Sequence, residues 1–534
     1  MKGFTRRQFL QASGSIAAVP TAAQLLLGGC SPKSRKITIA CGAQLSSWEP
    51  TRGLSSLDAE MQFFYKAVFD SFIDQSSDRS LKPGILIDWG WNEDRSQIQM
   101  SVREDAFWHD GSPVTPSDVI WSLERAGNSM SGNPMHFIWN KVNNFSISGS
   151  SIVADVREYD PTIFKWMAHL TGYILPKHAY SAANAATWNE QPVGSGPYIV
   201  ENFEQGSSVL LKSFPQYWGP KPRFDSVLVK IIPDAEQRVT ALENGECDLA
   251  IGVPFEEFNR LTSKSSWGGD AYPTSDIGLI FITNRESMMK DKNVRLAMHH
   301  AIDKQKLIDE LLLGYGNAMS SMQVSGDDAY KPSIGLGRTM DSLQAPLFDA
   351  HDASIKIEFD PRLARDLLSK SGYSESRPVQ LKIQTTKGYR FRDYEMVQMI
   401  VGMWREVGIE AEIELYTEKE HLRLRAEHDL APAAFFNWSN PTGDPFMSTG
   451  LAMLSQSPDS SFKSAELDRL IKPLLNEPDE RQRIRGYQEI DQYIADEGAV
   501  IPLVQYYQSV VHKSDLQFEP HAGGYVLPQD ISSL

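Results

Sequence analysis

The stretch that most constrains the fold lies between Val227 and Ile251. Val227 to Ile232 reads as a strand, a helix is expected over about 235–244, and Gly245 stands where that helix would stop. Asp248-Leu249-Ala250-Ile251 then reads as a short parallel strand. Strand–helix–strand order is the signature of an α/β domain. Other segments agree with it. Lys36-Ile37-Thr38-Ile39-Ala40-Cys41 reads as a buried strand, and residues 59–73 carry Met61, Phe64, Tyr65, Val68, Phe69 and Phe72 at helical spacing. Ile98 to Val102 alternates like a strand, and Thr115-Pro116-Ser117-Asp118 has the cap, the proline and the first-turn acid of a helix start. One long helix is expected over 291–313, ended by Gly314. A second runs from Asp360-Pro361 to near Gly372, and a third over 393–407, ended by Gly408 and leading into a strand from Ile409 to Leu415. Residues 326–350 are polar and Gly/Asp-rich, a long surface loop.

The first thirty residues carry an address. Thr5-Arg6-Arg7-Gln8-Phe9-Leu10 matches a twin-arginine export motif, with Arg6 and Arg7 as its signal pair. A small-residue apolar run follows and ends at Leu27-Gly28-Gly29-Cys30, which reads as a lipoprotein cleavage box. Pro20 and the glycines interrupt that run, and about fifteen apolar residues are too few to span a bilayer. The expected mature chain begins at a lipidated Cys30, with a plain cleaved signal as the alternative. Ser31 follows the cysteine and leaves the choice between inner and outer membrane open.

The 534 residues carry a formal charge of −16, and Lys2, Arg6 and Arg7 with no acid precede Cys30. The exported part is therefore more acidic still. Such a surface repels phosphate backbones, which sets nucleic acid aside as a partner. Beyond Cys30 the cysteines are Cys41 and Cys247, expected as two small buried hydrophobes rather than a disulfide. There is no CxxC or HExxH, and no metal or cofactor is expected.

Several stretches together resemble the family 5 extracytoplasmic solute-binding proteins, the binding components of dipeptide-, oligopeptide- and nickel-type ABC importers. The run from Val102 through Phe107-Trp108-His109-Asp110-Gly111 to Val114-Thr115-Pro116-Ser117-Asp118-Val119 is similar to that family's signature. So are Gly194-Ser195-Gly196-Pro197-Tyr198, Tyr217-Trp218-Gly219 and Asn244-Gly245-Glu246-Cys247-Asp248. Asn293-Val294-Arg295-Leu296-Ala297 with Ala301-Ile302-Asp303-Lys304 follows, then Phe359-Asp360-Pro361 with Ser371-Gly372-Tyr373, and finally Ile501-Pro502-Leu503. The matches run in family order from about residue 37 to 505.

The resemblance implies a two-lobed, periplasmic-binding-protein-like (class II) α/β fold with an extra subdomain and a hinged ligand cleft. On that reading residues 1–29 are the signal peptide, 30–36 a tether and 37–79 the first part of lobe I. Residues 80–197 are the additional subdomain, 198–283 the second part of lobe I, 284–500 lobe II, and 501–534 the return to lobe I. The implied partners are a small peptide or peptide-like ligand, an ABC permease and ATPase complex, and the membrane through the lipid anchor. The chain is expected as a monomer without catalytic residues. Alternatives are a non-peptide ligand (an opine, a sugar conjugate or a metal chelate), a ligand sensor, and a secreted hydrolase.

The resemblance also places a ligand site at Asn437-Trp438-Ser439-Asn440-Pro441-Thr442-Gly443-Asp444. The peptide binders have an aspartate three residues after the tryptophan, which pairs with the peptide amine. Here that position is Pro441, which has no carboxylate. Asp444 is either a replacement anchor or a turn former before Pro445. Trp438 either stacks on a ligand or fills core. Asn437, Ser439 and Asn440 join it as candidates. Arg390 and Arg392 are candidates for pairing a carboxylate, or else solvated arginines. Gln44 and Ser46, after the first strand, complete the set. For catalysis, His109-Asp110 reads as structural rather than as a dyad, His299 and His300 as packing or surface residues, and His421 and His428 as solvated.

Overall fold

The computed structural model describes residues 35–53, 59–169, 171–180, 185–324, 327–330, 358–389, 391–521 and 523–534. Arg6, Arg7, Cys30, Arg390 and most of the polar loop before residue 351 lie outside the described residues. The protein is two-lobed, and one 11-stranded sheet runs through both lobes. In lobe I, the strand Lys36–Cys41 lies between Ser226–Ile231 and Leu249–Ile251 and is parallel to both. Ser208–Ser213 and Tyr198–Glu204 extend the sheet antiparallel beyond Ser226–Ile231.

The helix Ala235–Glu243 connects the two outer parallel strands across the central one. Asp234 caps it by accepting from the Gln237 amide at 2.8 Å, and Gly245 leaves it at φ +70. Its inner face buries Val239 and Leu242 with Cys247 and Leu261, while Phe64, Val68, Val227 and Val229 fill the opposite face of the sheet.

In lobe II, Val379–Thr385 lies between the parallel strands Ile409–Leu415 and Ala433–Ser439. The helices Asp393–Glu406 and Glu480–Glu497 contribute Ile400, Trp404, Tyr487 and Ile490 to the core that covers this part of the sheet. Two long strands, Trp267–Ile282 and Val500–Lys513, pair antiparallel and serve both lobes. The second pairs with Leu249–Ile251 and the first with Ala433–Ser439. Their register shifts between Pro273 and Ile277, where the lobes meet. A separate four-stranded antiparallel sheet, Leu86–Trp91, Gln97–Val102, Ser151–Val156 and Val142–Ser148 in that order, has its own core around Trp108, Trp139 and Trp166.

Several local expectations change. The helical pattern of 291–313 is two helices, Lys292–His300 and Lys304–Leu311, because Asp303 turns its carboxylate onto the Lys306 amide and starts a new helix. The helix expected to reach residue 73 ends at Val68, where Phe69 becomes extended. His421 is buried rather than solvated. Gln384 and the Phe435 carbonyl hold its ring nitrogens, its ring stacks on Phe436, and burial pushes it down to about 4. Cys41 and Cys247 are both free and buried.

Candidate functional site

Most motif residues turn out to be scaffold. Gly194 and Gly196 press on the end of the helix Gln62–Val68. A Cβ at Gly194 would lie 1.9 Å from the Val68 carbonyl oxygen, and one at Gly196 would lie 2.7 Å from the Val68 carbonyl carbon. His109 completes that junction. Its Nε2 donates to the Gly196 carbonyl at 3.0 Å and its Nδ1 accepts from the Gly194 amide at 3.2 Å, while burial pushes it down to about 4. Asp110 bonds Ser112 and His178 instead, so no His109–Asp110 dyad forms. Trp218 donates to Asp70 at 3.1 Å, and burial pushes the Asp70 carboxyl up to about 7. Among the described residues no group of three or more His, Cys, Asp or Glu could hold a metal, and no helix is long and apolar enough to cross a membrane.

The strand Ala433–Ser439 carries the expected ligand segment and splits it by the alternation of side chains. Trp438 points into the lobe II core. It is 7% exposed, donates to the Met447 carbonyl at 3.1 Å, and meets Phe281 edge-on with centroids 5.8 Å apart. Asn437 and Ser439 take the opposite face, beside Gly278 and Asp276. The Asn437 Oδ1 and the Ser439 Oγ are buried without a hydrogen-bond partner. Asn440 is committed within the protein, donating to the Asp444 carbonyl at 3.0 Å and to Asp327 and Ser448 at 3.4 Å, and accepting from Thr442 at 3.0 Å.

Asp444 is 2% exposed and already occupied. Arg483 clasps both of its carboxylate oxygens, with Nη1 to Oδ2 at 2.8 Å. Lys165, from the additional subdomain, reaches the same Oδ2 at 3.2 Å and also binds Asp328. The Phe446 amide donates to Oδ1 at 3.0 Å. Burial alone would raise this carboxyl, but Lys165 and Arg483 outweigh it and hold the group far below the usual carboxylate range. Its acceptor sites are filled from within the protein.

Arg392 sits in the left-handed region at φ 57, at the start of the helix Asp393–Glu406. It approaches Glu256 on the helix Phe255–Thr262 of lobe I at 3.9 Å, so the two lobes face each other here. Its Nε is buried without a partner. Gln44 and Ser46 are exposed, and their neighbours Gly42 and Ala43, rather than they themselves, line the cavity of lobe I.

That cavity, ≈ 70 Å³, lies at the carboxyl ends of Lys36–Cys41 and Leu249–Ile251. The helix Gln62–Val68, which follows the central strand, and the helix Ala235–Glu243, which follows its neighbour, pack on opposite faces of the sheet, an arrangement that leaves a crevice at the strand ends in open α/β sheets. Its polar lining includes Arg238, Tyr272 and Gln508, together with Glu60 and Tyr525, and Phe63, Phe64 and Val526 are among its apolar lining. Reading residues one at a time missed Arg238, Tyr272 and Gln508. The available signal was Arg238 on the apolar side of a helix that otherwise buries Val239, Ala241 and Leu242.

The model of the bacterial extracellular solute-binding proteins, family 5 Middle, matches residues 80–459. The chain belongs to this family. It is 23% identical over 458 residues to the dipeptide-binding protein of Escherichia coli K12, covering 78% of this chain and 80% of that protein. Identity to the nickel-binding periplasmic protein of the same strain is 22% over 497 residues, 86% of this chain and 88% of that one. Among solved structures, NikA from Brucella suis in complex with Fe(III)-EDTA superposes with a TM-score of 0.79 at 18% identity, over 93% of this chain and 100% of that one. The dipeptide binding protein from Pseudoalteromonas sp. SM9913 in complex with Met-Leu gives 0.75 at 17%, over 94% and 100%. These likenesses carry the two-lobed fold, and the family carries solute binding. Which solute this chain takes has to come from its own residues.

Proposed function

We propose that this protein captures a small polar, peptide-like solute between its lobes and delivers it to the permease and ATPase complex of an ABC importer. The observation that carries the reading is that the lobes face each other where Arg392 approaches Glu256, and that elements of both lobes hold buried polar atoms left without partners. Lobe II offers the Asn437 Oδ1, the Ser439 Oγ and the Arg392 Nε, and lobe I offers the Arg238 Nε and the Tyr272 hydroxyl. An unsatisfied buried polar group costs about 1–3 kcal/mol, a cost that a bound solute reaching it would offset. A solute held between the lobes would satisfy them and favour the closed arrangement.

The relatives' names range from dipeptides to nickel, which supports the importer class more strongly than any one cargo. Pro441 and the occupied Asp444 favour a solute that is not fixed through a free amine at the end of Ala433–Ser439. A modified or cyclic peptide, an opine or a sugar conjugate fits that condition, as does a peptide read through its other groups. The protein performs no chemistry on the solute. Twin-arginine export through Arg6 and Arg7 and anchoring through lipidated Cys30 complete the reading, with a monomer working outside the cytoplasmic membrane.

Native mass spectrometry of the protein purified gently from its own periplasm tests the reading. A retained small molecule, released on unfolding, is the expected result. A protein that retains nothing and shows no saturable binding across peptides, opines and sugar conjugates contradicts it.

A further inference from the structure

The lobe I cavity has a chemistry of its own. Arg238 is 7% exposed, and its guanidinium donates to three backbone carbonyls: Ile232 at 2.7 Å, Pro233 at 2.9 Å and Gly252 at 2.6 Å. Carbonyl dipoles orient the group but leave its full positive charge, and a buried charge without a counter-ion is costly. Glu60, which lines the cavity, and Asp234 both attract the guanidinium, but both are solvent-exposed, so their charges are screened by water. Cys41, also in the lining, adds no negative charge, because burial pushes its thiol up to about 12.

Two glycines make room for this arginine. A Cβ at Gly42 would meet its Nη1 at 2.9 Å, and one at Gly252, where φ is +73, would meet its Nη2 at 3.1 Å. Tyr272, 8% exposed, lines the same cavity, with its hydroxyl buried and unpartnered. Gln508 pairs with Tyr272 across the two long strands, one step on the lobe I side of the register shift, and lines the same cavity.

We propose that this cavity is an anion subsite that takes the carboxylate of the bound solute. The inference rests on the solute-binding reading and deepens it by naming one end of the cargo. The Arg238 Nε–H and the Tyr272 O–H supply two donors, and Gln508 supplies an amide beside them. Donors around a fixed positive charge select an anion over a neutral or cationic group. A cavity of ≈ 70 Å³ has room for a planar carboxylate group, given that one water needs about 10–15 Å³ of such volume. The carboxylate would also touch both long strands beside the point where the lobes meet, so its arrival would be sensed at the hinge.

Formate and formamide separate charge from size and are the probes. Thermal unfolding of the purified protein is followed across a titration with each, at fixed ionic strength, for the wild type and for Tyr272→Phe, which keeps the ring and loses only the hydroxyl. The expected result is saturable stabilisation of the wild type by formate and none by formamide, with the formate affinity of Tyr272→Phe about tenfold weaker, the worth of one hydrogen bond to a charged group. Equal effects of the two probes overturn the proposal. So does an unchanged formate affinity in Tyr272→Phe, or no saturable formate effect at all. Because this readout needs no native cargo, its failure is distinct from a failure to find a retained solute.

Discussion

Two clusters of buried charge face different fates in this molecule. Around Asp444, two cations and two carboxylates converge from three parts of the chain: Lys165 on the additional subdomain, Arg483 on the helix Glu480–Glu497, and Asp328 and Asp444 on lobe II loops. Around Arg238, one cation is hydrogen-bonded by carbonyls and attracted by the exposed carboxylates of Glu60 and Asp234, and an unpartnered hydroxyl lines the same cavity. The first cluster is closed. Its charges neutralise one another, although the Arg483 Nε and the hydroxyl of Tyr487, whose ring lies under that arginine, are buried without partners, so its work is to hold the additional subdomain against lobe II. The second is open, and a buried site that is electrostatically incomplete is one that a ligand can complete. Position in a resembling motif pointed to the first cluster; the balance of charge points to the second.

The comparison can be broken most forcefully at Asp444. Asp444→Ala leaves Arg483 and Lys165 without their shared partner, and breaking a buried pair in this way costs about 3–5 kcal/mol. Urea unfolding should show that loss, while the variant that remains folded keeps its affinity for the retained solute. A stable variant with lost affinity would move the ligand site back to Asp444. Acid sharpens the same point. The Asp444 carboxyl is depressed in the folded state, so its contribution is complete above the ordinary carboxylate value of 3.8 and is lost as pH falls toward the lower folded value. Asp444→Asn should flatten the acid limb of stability against pH below that value.

A smaller effect is expected from Lys165→Met, about 1–2 kcal/mol, because Lys165 is 20% exposed and Arg483 still neutralises Asp444. Hydrogen exchange should report loosening on the facing parts of the additional subdomain and lobe II, with the solute affinity little changed. Tyr272→Phe should be the mildest for folding, within about 0.5 kcal/mol of the wild type or slightly more stable, since it removes an unsatisfied hydroxyl. A large destabilisation there would mean that the hydroxyl is structural and the cavity closed.

The residues that build the fold were legible because their signals are local. Thr115-Pro116-Ser117-Asp118 announces a capping box that the structure forms, and Gly245 and Gly408 leave their helices at positive φ as the sequence suggests. Local signals also misled. The pattern over 291–313 concealed the break at Asp303, because apolar spacing continues through a cap. His421 looked solvated on a polar helix, and only the packing of that helix on Phe435 and Phe436 buries it.

The site was half legible. The segment around Trp438 was found through the resemblance, but which of its residues enter the core depends on the pairing register of the strand Ala433–Ser439, which puts Trp438 in the core and Asn437 and Ser439 on the other face. Arg238, Tyr272 and Gln508 come together only through strand order and cross-strand pairing, and no spacing in the chain relates them.

The most direct test of the contrast between a closed and an open cluster is a crystal structure of the protein with its co-purified solute in place. The account predicts a solute carboxylate within hydrogen-bond distance of the Arg238 Nε and the Tyr272 hydroxyl, with Arg483 still clasping Asp444. A solute cation seated on Asp444, with Arg483 or Lys165 displaced and the lobe I cavity empty, would contradict it.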